Sequence, residues 1–194
     1  MRPWEAVRGS HRYPFLVTRK IHVFEDPRRF IAGTVGMPGE RTFYLQASDG
    51  RSLTSVSLEK AQVAVLADGL EELLEQVNSV PAAPAPDDND PLEVPLEEEF
   101  RASTLGLGWD PQRERIIVEA HALSEDREAA DVGDDDPAAA DTLRVLIDPA
   151  HARSFVRRAR ALVAAGRPPC PFCLQPLDAS GHICPRSNGY RRRA

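Results

Sequence analysis

The residues most suited to chemistry lie together in the stretch "CPFCLQPLDASGHIC" near the carboxyl end, which holds all three cysteines of the chain. Cys170 and Cys173 are separated by two residues, a spacing that lets a tight loop direct both sulfurs at one metal ion. His182 and Cys184 follow after a short connecting segment. Thiolates and imidazoles are the ligands that zinc prefers in a tetrahedral site. The sequence therefore predicts a structural zinc knuckle with the ligands Cys170, Cys173, His182 and Cys184.

Two other uses of these cysteines are open. Cys170 and Cys173 could form a redox pair, but such pairs are typical of a helix start in a βαβ context, which the sequence lacks. A nucleophilic cysteine with His182 as its base would need a third residue to orient the histidine, and the sequence offers no evident one. Four protein ligands would leave zinc no open position, so the site predicts folding or recognition rather than hydrolysis.

The same end of the chain is strongly basic. Residues 151–194 contain nine arginines and one acidic residue, a surplus of eight positive charges. The other residues must then carry fourteen surplus negative charges to give the formal net charge of −6. This asymmetry indicates either a site for a polyanion or an electrostatic match between the two parts of the chain.

A candidate anion-binding surface can be drawn within this basic segment. Its members are arginines at helical spacing, one arginine beside the cysteines and a tyrosine–arginine tail: Arg153, Arg157, Arg160, Arg186, Tyr190, Arg191 and Arg192. Arginines at this spacing share one helix face, and a tyrosine ring can stack on a base. RNA or single-stranded DNA is therefore a possible partner, and the alternative is a solvated face whose tail pairs with the acidic part of the chain.

Short alternating segments predict the first half of the fold. Residues 20–57 are rich in β-branched and aromatic residues and are interrupted by the turn sequences "MPGE" and "SDGR", which predict an antiparallel meander. A helix with Ser57 as its N-cap follows. Its predicted buried face comprises Val63, Leu66, Leu70, Leu73, Leu74 and Val77.

The second half repeats this order. The strand-like segments "FRASTLGLGW", "RIIVEAHAL" and "TLRVLI" precede a helix that opens at Asp148 and Pro149. Its predicted apolar face comprises Ala152, Phe155, Val156, Ala159, Leu162 and Val163. Strands followed by a helix occur twice, so an internal duplication is possible. The predicted fold class is α+β, an antiparallel sheet with two packed helices and a small C-terminal zinc knuckle.

Composition divides the chain into three parts. Residues 1–20 predict a loose N-terminal extension, residues 21–166 the α+β domain, and residues 167–194 the zinc knuckle with its basic tail. Acidic loops are predicted near residues 81–98 and 124–141, and the alanine-rich second one is expected to be disordered.

Three strings carry a resemblance to a known family: "RFIAGTVGMPGERTFYLQASDG", "LGWD" and "PPCPFCLQPLDASGHICPRSNGY". From about His22 to its end, the chain resembles an uncharacterised actinobacterial family known only as a domain of unknown function. The Cys-Pro-x-Cys and Gly-His-x-Cys-Pro motif of that family falls on the four predicted zinc ligands. Leu174 stands where the resemblance leads us to expect a small residue such as glycine. The resemblance implies no activity.

Several classes of protein are disfavoured. No apolar run approaches the roughly 18–20 residues that span a bilayer, and charges interrupt the first residues, so neither a membrane protein nor a secretory signal is expected. The expected compartment is the cytoplasm, where thiols stay reduced. The glycines of "GTVGMPGER" precede strand-like sequence rather than a helix, which favours a hairpin over a phosphate loop.

The sequence favours a non-enzymatic binding or adaptor protein whose zinc module docks a protein partner. The first alternative is binding of RNA or single-stranded DNA through the basic C-terminal helix, knuckle and tail. The second is an enzyme that acts on a phosphorylated compound, with its site in the sheet domain near Arg41 and Tyr44. Activity of such an enzyme should survive removal of residues 168–194.

Overall fold

A computed structural model describes residues 19–77, 87–125, 128–166, 169–175, 177 and 183–186. Within this part of the chain, seven strands and two helices occur. Their bounds are β1 Ile21–Phe24, β2 Arg29–Val35, β3 Thr42–Ser48, β4 Leu53–Leu58, α1 Lys60–Gln76, β5 Glu98–Asp110, β6 Arg115–Ala122, β7 Thr142–Ile147 and α2 Pro149–Ala164. The strands form one sheet in the order β1-β7-β6-β5-β4-β3-β2. The predicted α+β class is confirmed.

The sheet consists of two antiparallel meanders, each followed by a helix. Strands β2, β3 and β4 form the first and lead into α1, and strands β5, β6 and β7 form the second and lead into α2. The meanders join through a parallel pairing of β4 with β5. The predicted order of strands and then a helix, twice over, is therefore present in the fold.

One detail of the predicted sheet is wrong. Strand β1 was expected to begin the first meander, but it pairs in parallel with β7 at the other end of the sheet, with Ile21 opposite Thr142. With the β4–β5 pairing, the sheet is mixed rather than wholly antiparallel. Alternation along a sequence reports which side chains share a face, but it does not report the neighbouring strand.

The two halves of the sheet join along β5. The first residues of β5 pair with β4, and those from Ala102 onwards pair with β6, with a register shift at Ser103. An extra residue of this kind bends a strand. His22 Nδ1 of β1 lies 3.3 Å from Thr54 Oγ1 of β4, so the sheet is curved enough to bring these two non-adjacent strands together.

Both predicted turns are present. The amide of Glu40 donates to the carbonyl of Met37 at 2.9 Å, and Gly39 has a φ of 105°, as the third residue of a type II turn requires. Gly50 has a φ of 86° in the turn between β3 and β4. Asp49 Oδ1 accepts the amide of Ser52 at 2.7 Å there.

The helix starts differ in how well they were predicted. Asp148 caps α2 as predicted, since its carboxylate accepts the amide of His151 at 2.8 Å. The N-cap of α1 is Glu59, which forms a capping box with Gln62. The prediction of Ser57 as this cap is wrong, because Ser57 still belongs to β4 and donates its hydroxyl to Glu98 at 2.8 Å.

The helices pack on one face of the sheet, where the hydrophobic core lies. The two helices also contact each other, and α2 reaches back to β2, where the rings of Phe155 and Phe30 stack with centroids 4.8 Å apart. The predicted helix faces are confirmed. Their fully buried members are Val63, Leu66, Leu70, Leu74, Ala152, Phe155, Val156 and Ala159. Neither helix is long and apolar enough to cross a membrane.

Two acidic segments cover the other face of the sheet. The segment 87–97 lies on the first meander, where Leu92 fills the space left by Gly33. The segment 128–141, expected to be disordered, lies on the second meander, where Val132 fills the space above Gly106 and Gly108. Each meander thus has glycines that let an apolar side chain of its covering segment approach the strands.

The first acidic segment is held by arginines of β2 and α2. Arg29 donates to Asp88 at 2.6 Å and to Glu93 at 3.2 Å, and these contacts raise its pKa against the opposing effect of burial. Arg158 donates to the carbonyl of Ala32 at 2.6 Å and to that of Asp90 at 2.8 Å. Arg158 therefore satisfies a carbonyl on the edge strand and shields that edge from further pairing.

The second acidic segment closes over a buried ion pair. Glu119 of β6 is fully buried and pairs with Arg144 of β7. Arg144 also donates to Asp135 at 2.6 Å and to the carbonyl of Asp134 at 2.7 Å, and the amide of Gly133 donates to Glu119 at 3.1 Å. Burial raises the pKa of the Glu119 carboxyl, but hydrogen bonds from His121, Arg144 and the Gly133 amide outweigh burial and hold it below its ordinary value.

Candidate metal centre

The structure brings together three of the four predicted zinc ligands. The sulfurs of Cys170, Cys173 and Cys184 all lie within 4.8 Å of one another, and those of Cys170 and Cys184 are 3.7 Å apart. All three are free cysteines. In a tetrahedral site with Zn–S bonds of about 2.3 Å, the sulfurs are separated by roughly 3.8 Å. The separation of Cys170 and Cys184 therefore suits a shared metal ion.

The backbone around the first two cysteines forms a tight loop. The amide of Leu174 donates to the carbonyl of Cys170 at 2.9 Å, and the amide of Cys170 donates to the carbonyl of Gln175 at 2.8 Å. Leu174 has a φ of 63°, in the left-handed region that favours glycine. Leu174 thus adopts a backbone conformation that glycine adopts more easily, which explains why a small residue such as glycine was expected at this position.

Backbone amides also face the sulfurs. Burial raises the pKa of Cys170, but hydrogen bonds from the amides of Cys173 and Phe172 outweigh burial and lower the pKa below its ordinary value. An amide hydrogen bond from Gln175 lowers the pKa of Cys173. Burial and the sulfurs of Cys170 and Cys184 together raise it by more, so the pKa of Cys173 lies above its ordinary value. The loop amides therefore favour the thiolate of Cys170, which is the form that binds a metal ion.

The fourth predicted ligand, His182, lies outside the residues that the structure describes, as do Tyr190, Arg191 and Arg192 of the predicted anion-binding surface. Their roles remain predictions. Arg186 is described and donates to the carbonyl of Phe172 at 3.2 Å, so it braces the loop between the first two cysteines.

Three large apolar side chains project from the cysteine loop into solvent. Phe172 is 60% exposed, Leu174 is 73% exposed and Ile183 is 84% exposed. Each is within two residues of a cysteine of the cluster. The cysteine loop therefore exposes large apolar side chains close to the predicted metal ligands.

Two of the helical arginines of the predicted anion-binding surface pair with acids of the same chain. Arg157 pairs with Asp87 at 2.6 Å, and Arg160 pairs with Asp68 at 3.2 Å and with Glu71 at 2.5 Å. Hydrogen bonds from Arg160, first to Glu71 and then to Asp68, raise its pKa.

Arg153 lies on the same face as these two arginines and donates to the carbonyl of Pro149 at 3.4 Å. Together the three line a groove of about 380 Å³ between α1 and α2, with Leu74 and Val156 among its apolar walls. The ion pairs of Arg157 and Arg160 are of the kind expected from an electrostatic match between the basic segment and the acidic part of the chain.

The comparison with known families follows from the same residues. Positions 22–184 match the family described as "Protein of unknown function (DUF3090)". The chain belongs to this family. No curated protein and no solved structure was found to match it. The match begins at His22, as the resemblance led us to expect, but it ends at Cys184 rather than at the end of the chain. This DUF3090 domain contains the sheet from the second residue of β1 onwards, both helices and all four predicted zinc ligands.

Sequence reasoning did not group three cations that lie close together in this DUF3090 domain. Arg41 was considered together with Tyr44, but the structure places Arg41 beside Lys60 and Arg101 around two adjoining cavities that Tyr44 does not line. Lys60 is the first residue of α1, and Arg101 lies on β5. The β3–β4 hairpin pairs Phe43 with Leu58 and so brings Arg41 near Lys60, whereas the parallel pairing of β4 with β5 adds Arg101, which no local signal in the sequence indicates.

Proposed function

We propose that the chain is a zinc-binding protein whose C-terminal knuckle docks a protein partner. One ion is held by Cys170, Cys173 and Cys184, with His182 as the fourth ligand. The observation that carries this proposal is the convergence of three sulfurs from two separate segments within 4.8 Å of one another. RNA or single-stranded DNA remains the alternative ligand of the basic end.

The chemistry of the donors supports zinc and a structural role. Three thiolates and one imidazole are soft or borderline ligands, and such sets select zinc in tetrahedral geometry. Four protein ligands leave no position for water, so the ion acts on folding rather than on a substrate. The knuckle has few residues with which to form a core of its own, so the metal supplies most of its folding free energy. Cysteines of this kind fit the reducing cytoplasm, which is the compartment we propose.

The exposed apolar side chains support docking to a protein. Phe172, Leu174 and Ile183 would be held in fixed positions once the metal closes the loop. Aromatic and aliphatic side chains of this size act as anchors in protein interfaces, where they fill pockets of the partner. The partner we propose therefore offers an apolar surface to the knuckle.

Metal content tests the first part of the proposal. Mass spectrometry under native conditions should find one zinc per chain in the unaltered protein and none in Cys173→Ser. His182→Ala should weaken binding strongly, whereas His151→Ala, a matched change at an exposed histidine of α2, should leave the metal content unchanged. A full complement of zinc in Cys173→Ser, or no metal with three titratable thiols in the unaltered protein, would contradict the site.

Photo-crosslinking tests the second part. A photoreactive amino acid at position 183 should give an adduct with one protein species in cells, and this adduct should disappear in the Cys173→Ser background. The matched control is position 65 on α1, where Val65 is 67% exposed but lies outside the knuckle. Equal adducts from both positions, or an adduct that persists without the cysteine, would argue against zinc-dependent docking.

A further inference from the structure

A second candidate site lies at the opposite end of α2 from its Asp148 cap, where the sheet and both helices meet. Two adjoining cavities of about 280 Å³ and 180 Å³ share the lining residues Arg41, Phe43 and Lys60. The larger one extends to Leu162 and the carboxyl end of α2, and the smaller one to Arg101 on β5.

The charge around these cavities is opposite in sign to that of the chain as a whole. Among the described residues that line them, three are cationic, Arg41, Lys60 and Arg101, and one is acidic, Glu59. The acid pairs with Arg101. A second acid, Glu98, accepts a hydrogen bond from the hydroxyl of Ser57, which lines the smaller cavity, but Glu98 itself lines neither cavity. The other two cations, Arg41 and Lys60, therefore line the cavities without an ion pair to a carboxylate among the described residues that line them. They do so on a chain whose formal net charge is −6.

Both of these cations are directed at the larger cavity. Arg41 donates one N–H to the carbonyl of Ala165 at 2.6 Å, which fixes its guanidinium against the end of α2. A guanidinium has five N–H donors, so others remain for a ligand. The ammonium of Lys60 lies 3.8 Å from the position that a Cβ on Gly166 would occupy, which places it at the same end of α2 as the guanidinium of Arg41.

We propose that these cavities bind a small phosphorylated compound. A phosphate monoester carries a charge of about −1.5 to −2 at neutral pH, which matches the two cations without a lining counterion. The fork of Arg41 can hold two phosphate oxygens while Lys60 acts as a point charge. Phe43 and Leu162 provide apolar wall for the organic part of the compound.

Side chains rather than helix amides form this site. Glu59 already caps the start of α1, where its carboxylate accepts the amide of Gln62. The proposed phosphate contacts come from Arg41 and Lys60, so a bound phosphate leaves this cap in place. Pockets for drug-sized ligands measure about 300–1,000 Å³, so cavities of about 280 Å³ and 180 Å³ suit a smaller compound with one or two phosphoryl groups. This proposal is independent of the zinc knuckle.

The two lysines of the chain, Lys20 and Lys60, make a direct test possible. With ¹³C-labelled lysine and pyrophosphate as the probe, the side-chain signal of Lys60 should shift saturably in the NMR spectrum. The signal of Lys20, which is also exposed, should stay in place. Sodium chloride at matched ionic strength should move neither signal.

Substitutions sharpen this test. Arg41→Gln should weaken pyrophosphate binding about tenfold or more, because the substitution removes charge-assisted hydrogen bonds to the probe. Arg51→Gln, a matched change at an exposed arginine of the β3–β4 turn, should leave the affinity unchanged. The zinc content should be the same in both variants.

Several outcomes would overturn the assignment. Equal shifts of Lys20 and Lys60, or a shift that does not saturate, would show general screening rather than a site. Equal affinity in the Arg41→Gln and Arg51→Gln variants would remove Arg41 from it. If a ten-nucleotide single strand shifts the Lys60 signal with a higher affinity than pyrophosphate does, the ligand of the site is a nucleic acid rather than a small phosphorylated compound.

Discussion

Replacing Glu119 by glutamine should destabilise the protein by about 3 kcal/mol, because the substitution removes one charge from a buried ion pair. Glu119 lies on β6 and is fully buried beneath the segment 128–141. Its partner on β7, Arg144, is 9% exposed. Removing one member of a buried pair typically costs about 3–5 kcal/mol, since the remaining charge is left without full compensation.

The structure sets the expected cost at the low end of that range. The amide oxygen of glutamine can still accept the hydrogen bond from Gly133, and Arg144 keeps its contacts with Asp135 and with the carbonyl of Asp134. The matched control is Asp135→Asn. Asp135 also pairs with Arg144, but its side chain is 72% exposed, so we expect a loss of about 0–1 kcal/mol.

Urea unfolding at neutral pH measures both changes. With a slope of about 2 kcal/mol/M, the midpoint of Glu119→Gln should fall by about 1.5 M, whereas that of Asp135→Asn should fall by less than about 0.5 M. The double variant Glu119→Leu/Arg144→Met should recover much of the loss, because an apolar pair avoids burial of charge. A loss below about 1 kcal/mol in Glu119→Gln would refute this reasoning.

The same pair gives stability a defined pH dependence. The pKa of Glu119 lies below its ordinary value of 4.5, so its ionised form is favoured in the folded state. This contribution is fully present above the ordinary pKa and is lost as pH falls from there through the folded pKa. The difference in unfolding free energy between the unaltered protein and Glu119→Gln should therefore be constant near neutrality and shrink in acid.

Three further predictions concern the knuckle, the glycine contacts and the sheet edge. Leu174→Gly should strengthen zinc binding up to about tenfold in a chelator competition, since a left-handed φ costs leucine about 1–2 kcal/mol; unchanged or weaker binding would contradict this. Gly33→Ala should cost about 1–3 kcal/mol on urea unfolding, because its Cβ would lie 2.5 Å from the Leu92 side chain, and adding Leu92→Ala should restore part of the loss. Arg158→Met should speed amide exchange of the segment 87–97, whereas Arg160→Met, at a more exposed arginine, should leave it unchanged.

Local chemistry made much of this protein predictable from its sequence. The period of apolar residues fixed the buried faces of both helices, and Pro38, Gly39 and Gly50 marked turns that the structure contains. The spacing of Cys170 and Cys173 indicated a metal loop for the same reason, because ligands two residues apart can reach one ion without help from the rest of the fold. Ser57 failed as a predicted cap because its strand continues through it and the N-cap lies two residues later, at Glu59.

Long-range packing decided what local chemistry could not. The parallel neighbours of β1 and β4, the seating of Val132 on glycines of β5, and the gathering of Arg41, Lys60 and Arg101 all join residues far apart in the chain. A sequence pattern reports the period and face of one element, whereas the pairing of strands depends on the free energy of the whole core. The sequence by itself thus determined the elements and the cysteine loop, and only the tertiary structure decided which charges are buried together and which surround a cavity.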